Sequence, residues 1–112
     1  MKYKNKKTQV DMYVFDSDLE ARRYKQLALL EQVGEIKNLK LQVPFLLQES
    51  FRKNGKTYRK IEYIVDFVYE KNGQTIVEDT KGIKTDVFKI KLKLFEYKYP
   101  DLSLKIITKE EI

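Results

Sequence analysis

Two Asn-Gly dipeptides limit what this chain can fold into. Asn54-Gly55 and Asn72-Gly73 each stand between segments rich in β-branched and aromatic residues. Asn-Gly favours the two-residue type I′ turn, whose positive φ angles match the twist of paired strands. "LKLQVPFLLQES", "TYRKIEYIVDFVYEK" and "QTIVEDTK" therefore read as a three-stranded antiparallel meander. Pro44 has no N–H to give a ladder and suits an edge or a bulge in the first strand.

Ahead of the meander, "FDSDLEARRYKQLALLEQVGE" reads as a helix of about 17 residues. Ser17 and Glu20 have capping-box spacing, Gly34 is a stop, and Tyr24, Leu27 and Ala28 follow Glu20 at helical intervals. Glu20 has two readings: it closes the box on Ser17, or it heads the inward stripe as a site residue. After the meander, "KTDVFKIKLKLFEYKYP" carries both periods. Phe88, Ile90, Leu92 and Leu94 alternate with lysines as in a strand, while Phe88, Leu92, Phe95 and Tyr99 recur as in a helix. The length, Thr85 or Asp86 as cap and Pro100 as stop favour the helix. "LSLKIIT" reads as a last short strand.

A chain of 112 residues supports one domain, 1–112, and the four lysines within residues 1–10 suggest a basic N-terminal arm. That polar start does not read as a signal peptide, and no window reaches the apolar length of a membrane span, so a cytoplasmic protein without membrane contact is expected. Cysteine and histidine are both absent. Disulfides, zinc-thiolate sites, imidazole bases and Ser-His-Asp triads are thereby excluded. Chemistry is left to carboxylates, lysines, hydroxyls and bound metal. The net charge of +6 points to an anionic partner, nucleic acid first.

A turn at Asn72-Gly73 pairs Lys71 with Gln74, which sets Asp66 across from Asp79 and Ile64 across from Lys81. Opposed side chains have Cβ atoms roughly 4.5–5.5 Å apart, and like charges there repel. Asp66 interrupts the apolar run "YIVDFVY", where an unpaired carboxylate is costly. Pairing with Lys81, protonation or a hard divalent cation would each relieve the repulsion. The plainer reading is a solvated hairpin with three charges. A one-residue bulge would instead turn Glu78 inward.

A helix with Glu20, a strand with Asp66, Asp79-x-Lys81 on the next strand, then a helix and a strand: this order resembles the PD-(D/E)xK, or restriction-endonuclease-like, nuclease superfamily. More closely, the chain resembles a group of small prophage-encoded proteins of that superfamily, through "KYKNKKT", "FDSDLEARRY", "YIVDFVY", "VEDTKG" and "FKIKLKLFEYKYP". The likeness runs over nearly the whole chain. Val65 stands where the motif's name has proline.

The resemblance implies an α/β (α+β) fold with a restriction-endonuclease-like core, a mixed central sheet flanked by helices. It implies Asp66 and Asp79 as ligands of Mg²⁺ or Mn²⁺, Lys81 as the motif lysine, Glu20 completing the site and Glu78 supporting it from behind. It also implies a helix for the two-period stretch. The activity expected is a Mg²⁺-dependent DNA endonuclease of phage or prophage origin, acting on branched or recombination-intermediate DNA in the manner of Holliday-junction resolvases. Lys4, Lys6, Lys7, Lys84 and Lys91 are expected on phosphates, and a homodimer is expected because one site per chain must cut two strands. Two alternatives stand beside it: a non-catalytic nucleic-acid-binding module on the same fold, and a phage structural or assembly protein.

Overall fold

The computed structural model describes residues 7–112. It is a mixed α+β arrangement of four-stranded sheet and two helices. Strands β1 (Thr8–Val10) and β2 (Tyr13–Phe15) form a small hairpin, followed by helix α1 (Asp18–Gln32). The long strand β3 (Lys37–Gln48) leads through β4 (Phe51–Lys53) and β5 (Lys56–Tyr58) to β6 (Ile61–Lys71) and β7 (Gln74–Thr80). Helix α2 (Asp86–Lys98), strand β8 (Leu104–Ile107) and a short 3₁₀ helix (Lys109–Glu111) complete it. The sheet order is β3-β6-β7-β8, antiparallel except for the parallel pair β7–β8.

Both Asn-Gly turns form as expected. Asn54 and Gly55 have φ of 52° and 74°, Asn72 and Gly73 of 51° and 77°, the doubly positive pattern of type I′. The Lys71–Gln74 register holds as far as Phe67–Glu78. The first hairpin is longer than the sheet: the pairing at Gln48–Ile61 continues in the same register into Phe51–Tyr58, after a break at 49–50 and 59–60. Pro44 lies on the edge strand β3, paired with Ile64.

Ser17 caps α1 by accepting the Glu20 N–H at 3.1 Å, and Thr85 caps α2 by accepting the Phe88 N–H at 3.1 Å. The stretch with two periods is helical, and its helical set is the one that packs on the sheet. Phe88 and Phe95 are buried, with Leu92 and Tyr99 packed beside them. Residues 1–6 of the expected basic arm lie outside the described residues. Residues 8–10 are paired with β2, because Val10 packs into the core and the Tyr24 hydroxyl donates to Asp11 in the hairpin turn at 2.8 Å. Burial pushes the Tyr24 hydroxyl up to about 12.

Two apolar clusters lie on opposite faces of the sheet. Phe15, Ala21, Tyr24, Leu27, Ile36, Phe67 and Tyr69 form the one under α1. Leu47, Tyr63, Val65, Val77, Phe88, Phe95 and Leu104 form the one under α2. A regular strand keeps alternate residues on one face. Yet Tyr63 and Val65 join the α2 cluster while Phe67 and Tyr69, of the same parity, join the α1 cluster. On β3, Leu41 goes with α1 and Val43 with α2. Both strands therefore exchange faces at one level, between Leu41–Phe67 and Val43–Val65. The residues at that level are Gln42, with a left-handed φ of 53°, and Asp66.

Candidate functional site

The exchange of faces turns the Asp66 side chain along the sheet, between the two layers. Beyond Phe67–Glu78 the backbone ladder gives way to carboxylate bonds. Asp66 Oδ2 accepts the Thr80 N–H at 2.8 Å and the Thr80 hydroxyl at 2.7 Å. Asp79 Oδ1 in turn accepts the Asp66 N–H at 3.1 Å. The two opposed aspartates are thus locked onto each other's strand. The expected pairing of Ile64 with Lys81 is not part of the ladder, since β7 ends at Thr80 and the Lys81 N–H goes to the Ile107 carbonyl of β8 at 3.0 Å.

Asp79 is 1% exposed and has further partners on the α2 side. Its Oδ2 accepts the Tyr63 hydroxyl at 2.7 Å and lies 3.0 Å from Lys81 Nζ. The same ammonium sits 4.9 Å over the Phe88 ring. Burial, then the Asp79 charge, raises the Tyr63 hydroxyl far above its ordinary range, so Tyr63 acts only as a donor. Lys81 opens onto a groove shared with Glu62, Tyr63, Ile64, Thr85 and Lys91.

Glu20 arrives from the α1 side and is 5% exposed. Its N–H makes half of a capping box, but the carboxylate turns inward and accepts Gln42 Nε2 at 2.7 Å. The same amide reaches Asp66 Oδ1 at 3.4 Å. Burial, then the charges of Asp16 and Asp79, pushes Glu20 up to about 7. Burial, then Asp79 and Glu20, pushes Asp66 up to about 8 against the opposing Thr80 N–H bond. Three carboxylates thus repel across one small volume, with Lys81 the cation drawn to it.

Glu78 faces the other way. It is fully buried under α1, where Arg23 Nε and an Arg23 terminal nitrogen reach its two oxygens at 2.8 and 2.7 Å. The Tyr69 hydroxyl also donates to it. Glu78 therefore touches none of Asp66, Asp79 and Lys81; it anchors α1 to the sheet three residues from Glu20. Among the expected phosphate contacts, Lys91 lies beside Lys81 in the groove. Lys84 and Lys7 are exposed and are not among its lining residues, and Lys4 and Lys6 fall outside the described residues.

The donor set is oxygen only, which suits a hard divalent cation, and the unrelieved repulsion at Glu20 and Asp66 is what such a cation offsets. Among the described residues, no group of three or more His, Cys, Asp or Glu side chains is arranged to hold a metal ion as it stands. Both oxygens of Asp79 and of Asp66, and one of Glu20, already have protein donors. The chemistry fits Mg²⁺ or Mn²⁺, and Asp66, Asp79 and Glu20 are the residues that would hold it.

The family described as "Protein of unknown function (DUF1064)" matches residues 1–111, nearly the full length. The chain belongs to the DUF1064 family. No curated protein and no solved structure matches it. No helix among the described residues of this DUF1064 chain is long and apolar enough to cross a membrane.

In this DUF1064 chain Tyr63, Thr80, Gln42 and Arg23 complete the surroundings of the carboxylates, and sequence reasoning did not single them out. Tyr63 stands three residues before Asp66 and Thr80 next to Asp79, so motif neighbourhood was a usable signal for both. Gln42 had one faint signal, a polar residue inside "LKLQVPF".

Proposed function

We propose that this chain is a metal-dependent endodeoxyribonuclease on a restriction-endonuclease-like core. One observation carries the reading: Asp66 and Asp79 are held on adjacent strands by reciprocal backbone bonds, with Lys81 Nζ 3.0 Å from Asp79 and Glu20 brought in from α1. Solvated surface charges would not be buried, mutually repelling and locked in this way. The element order, helix, antiparallel meander, helix and parallel strand, supports the fold assignment.

Mg²⁺ or Mn²⁺, when bound, supplies a Lewis acid for the phosphoryl oxygen and lowers the pKa of its water. The chain supplies the rest. Asp66, Asp79 and Glu20 hold the cation. Lys81, steadied by Asp79 and the Phe88 ring, orients the attacking water and offsets charge growing on the phosphate. Lys91 binds a neighbouring phosphate in the groove. Branched DNA in a bacterial host, cut by a homodimer, is the setting proposed. An apolar stripe exposed along α2, Val87, Ile90, Leu94 and Tyr97, supports a second copy as partner.

A non-catalytic nucleic-acid-binding module is the second reading, favoured by the protein donors that already occupy Asp79. The test is a cleavage panel on single-stranded, duplex, flapped and four-way DNA with Mg²⁺, Mn²⁺ or EDTA. Metal-dependent cutting that disappears in Asp79→Asn, with binding retained, is expected. Binding without cutting of any form, or equal cutting by wild type and variant, refutes the enzyme.

A further inference from the structure

Every residue from 48 to 60 is exposed, so nothing in the fold covers either side of the β4–β5 hairpin. A two-stranded hairpin in water is marginal alone. This one is held by its Asn54-Gly55 turn, by Arg52 donating to the Thr57 hydroxyl at 2.8 Å, and by a cross-strand stack of Phe51 on Tyr58. The two rings are 4.8 Å apart and 9° from parallel. They remain 44% and 40% exposed.

Residues 51–60 carry Arg52, Lys53, Lys56, Arg59 and Lys60, and no acid. Alternation puts Phe51, Tyr58, Lys53 and Lys56 on one face. Lys53 lies directly opposite Lys56, an arrangement of like charges that weakens a hairpin. The Lys56 ammonium rests 5.0 Å over the Tyr58 ring. An aromatic pair alone would explain a stable hairpin; it does not explain an opposed lysine pair beside it. Both features suit a polyanion that also offers flat apolar faces.

We propose that the β4–β5 hairpin is a nucleic-acid contact in which an unpaired base stacks on the outer face of the Phe51–Tyr58 ring pair and Lys53 and Lys56 meet the adjoining phosphates. The proposal rests on the nucleic-acid reading above and narrows its substrate. Bases inside a duplex already have both faces covered by neighbours, so a flat ring platform selects single-stranded or branched DNA. Charge alone would bind duplex equally well.

The test is fluorescence anisotropy in EDTA, where no cutting occurs, with a labelled oligothymidylate and a blunt duplex. Phe51→Leu/Tyr58→Val keeps an apolar cross-strand pair and removes both rings. It is expected to weaken single-strand binding about tenfold and to leave duplex binding within about twofold. Lys53→Ala/Lys56→Ala keeps the rings; it is expected to weaken both and to flatten the salt dependence. Unchanged single-strand binding in the first variant, equal loss on both DNAs, or no binding by the wild type overturns the proposal. Metal-dependent duplex cleavage by the ring-free variant, measured separately, keeps the nuclease reading standing if the hairpin proposal fails. Stacking without any cleavage does the reverse.

Discussion

Asp66 and Asp79 each bond the backbone of the other's strand: Asp79 accepts the Asp66 N–H at 3.1 Å, and Asp66 accepts the Thr80 N–H at 2.8 Å. The carboxylates thereby replace ladder hydrogen bonds at the end of β6–β7, which makes them part of the fold as well as of the proposed site. Removing either one leaves a backbone donor without its partner.

Asp79→Ala and Asp79→Asn separate those two roles. Alanine strips acceptors from Asp66 N–H, Tyr63 and Lys81, and is expected to lower stability by about 2–3 kcal/mol. Asparagine keeps an oxygen for the Asp66 N–H and is expected to lose about 1 kcal/mol. Both should reduce metal-dependent cleavage by at least about 100-fold, because neither supplies the negative charge that holds the cation and Lys81. Thermal melts and a plasmid-nicking assay measure the two effects. Asparagine with near-normal cleavage would remove Asp79 from the chemistry.

The carboxyl cluster gives the metal-free protein an unusual pH dependence. Asp66 moves from an ordinary 3.8 up to about 8, and Glu20 from 4.5 up to about 7. Between those values the folded chain retains protons that the unfolded chain has released, so this contribution is fully present at low pH and is lost as pH rises through about 7 and 8. In EDTA the melting temperature should therefore fall as pH rises through that window. Asp66→Asn should flatten the fall, and Mg²⁺ should reverse it by stabilising the charged form. A metal-free melting profile that climbs steadily with pH would show that the carboxylates are solvated.

The Arg23–Glu78 pair predicts a different outcome. Glu78 is fully buried, and its hydrogen bond and charge hold the Arg23 guanidinium above its usual range. Arg23→Ala leaves a buried carboxylate with only Tyr69, and is expected to lower stability by about 3 kcal/mol, or about 12 °C in Tm. Arg23→Met/Glu78→Leu removes both charges and should recover more than half of that loss. Scanning calorimetry of the single and double variants decides it; a double variant worse than the single would make the pair itself stabilising.

Much of this arrangement was legible because it depends on local chemistry. Asn-Gly turns need no tertiary context, and one of them alone carried the register from Lys71–Gln74 towards Asp66 and Asp79. Ser17 and Thr85 cap their helices through their own hydroxyls. The exchange of faces was not legible. Leu39, Leu41, Val43, Phe45 and Leu47 keep an unbroken alternation in sequence, so parity predicts one buried face where the structure uses two. The direction of Glu78 depends on Arg23 of α1, a partner 55 residues away. The β1–β2 hairpin turns at Asp11-Met12, which lacks a turn dipeptide's signature and holds Asp11 at a φ of 54°.

Gln42 is where fold and site meet. Its φ of 53° is one that a glutamine adopts at a cost of roughly 1–2 kcal/mol, and it lies opposite Asp66 at the level where both strands change face. Its amide donates to Glu20 at 2.7 Å, a bond that holds the Glu20 pKa down against burial. Gln42→Gly relieves the backbone and loses the donor, while Gln42→Ala loses the donor and keeps the strain. Glycine normally weakens a strand relative to alanine. Here the order should invert, with the glycine variant more stable by about 1 kcal/mol. In both, the Glu20 carboxyl should titrate at higher pH than in the wild type, followed by carbon-detected NMR. An alanine variant as stable as glycine would mean that the left-handed turn relaxes freely; an unmoved Glu20 titration would mean that Gln42 shapes the strand and leaves the carboxylates alone.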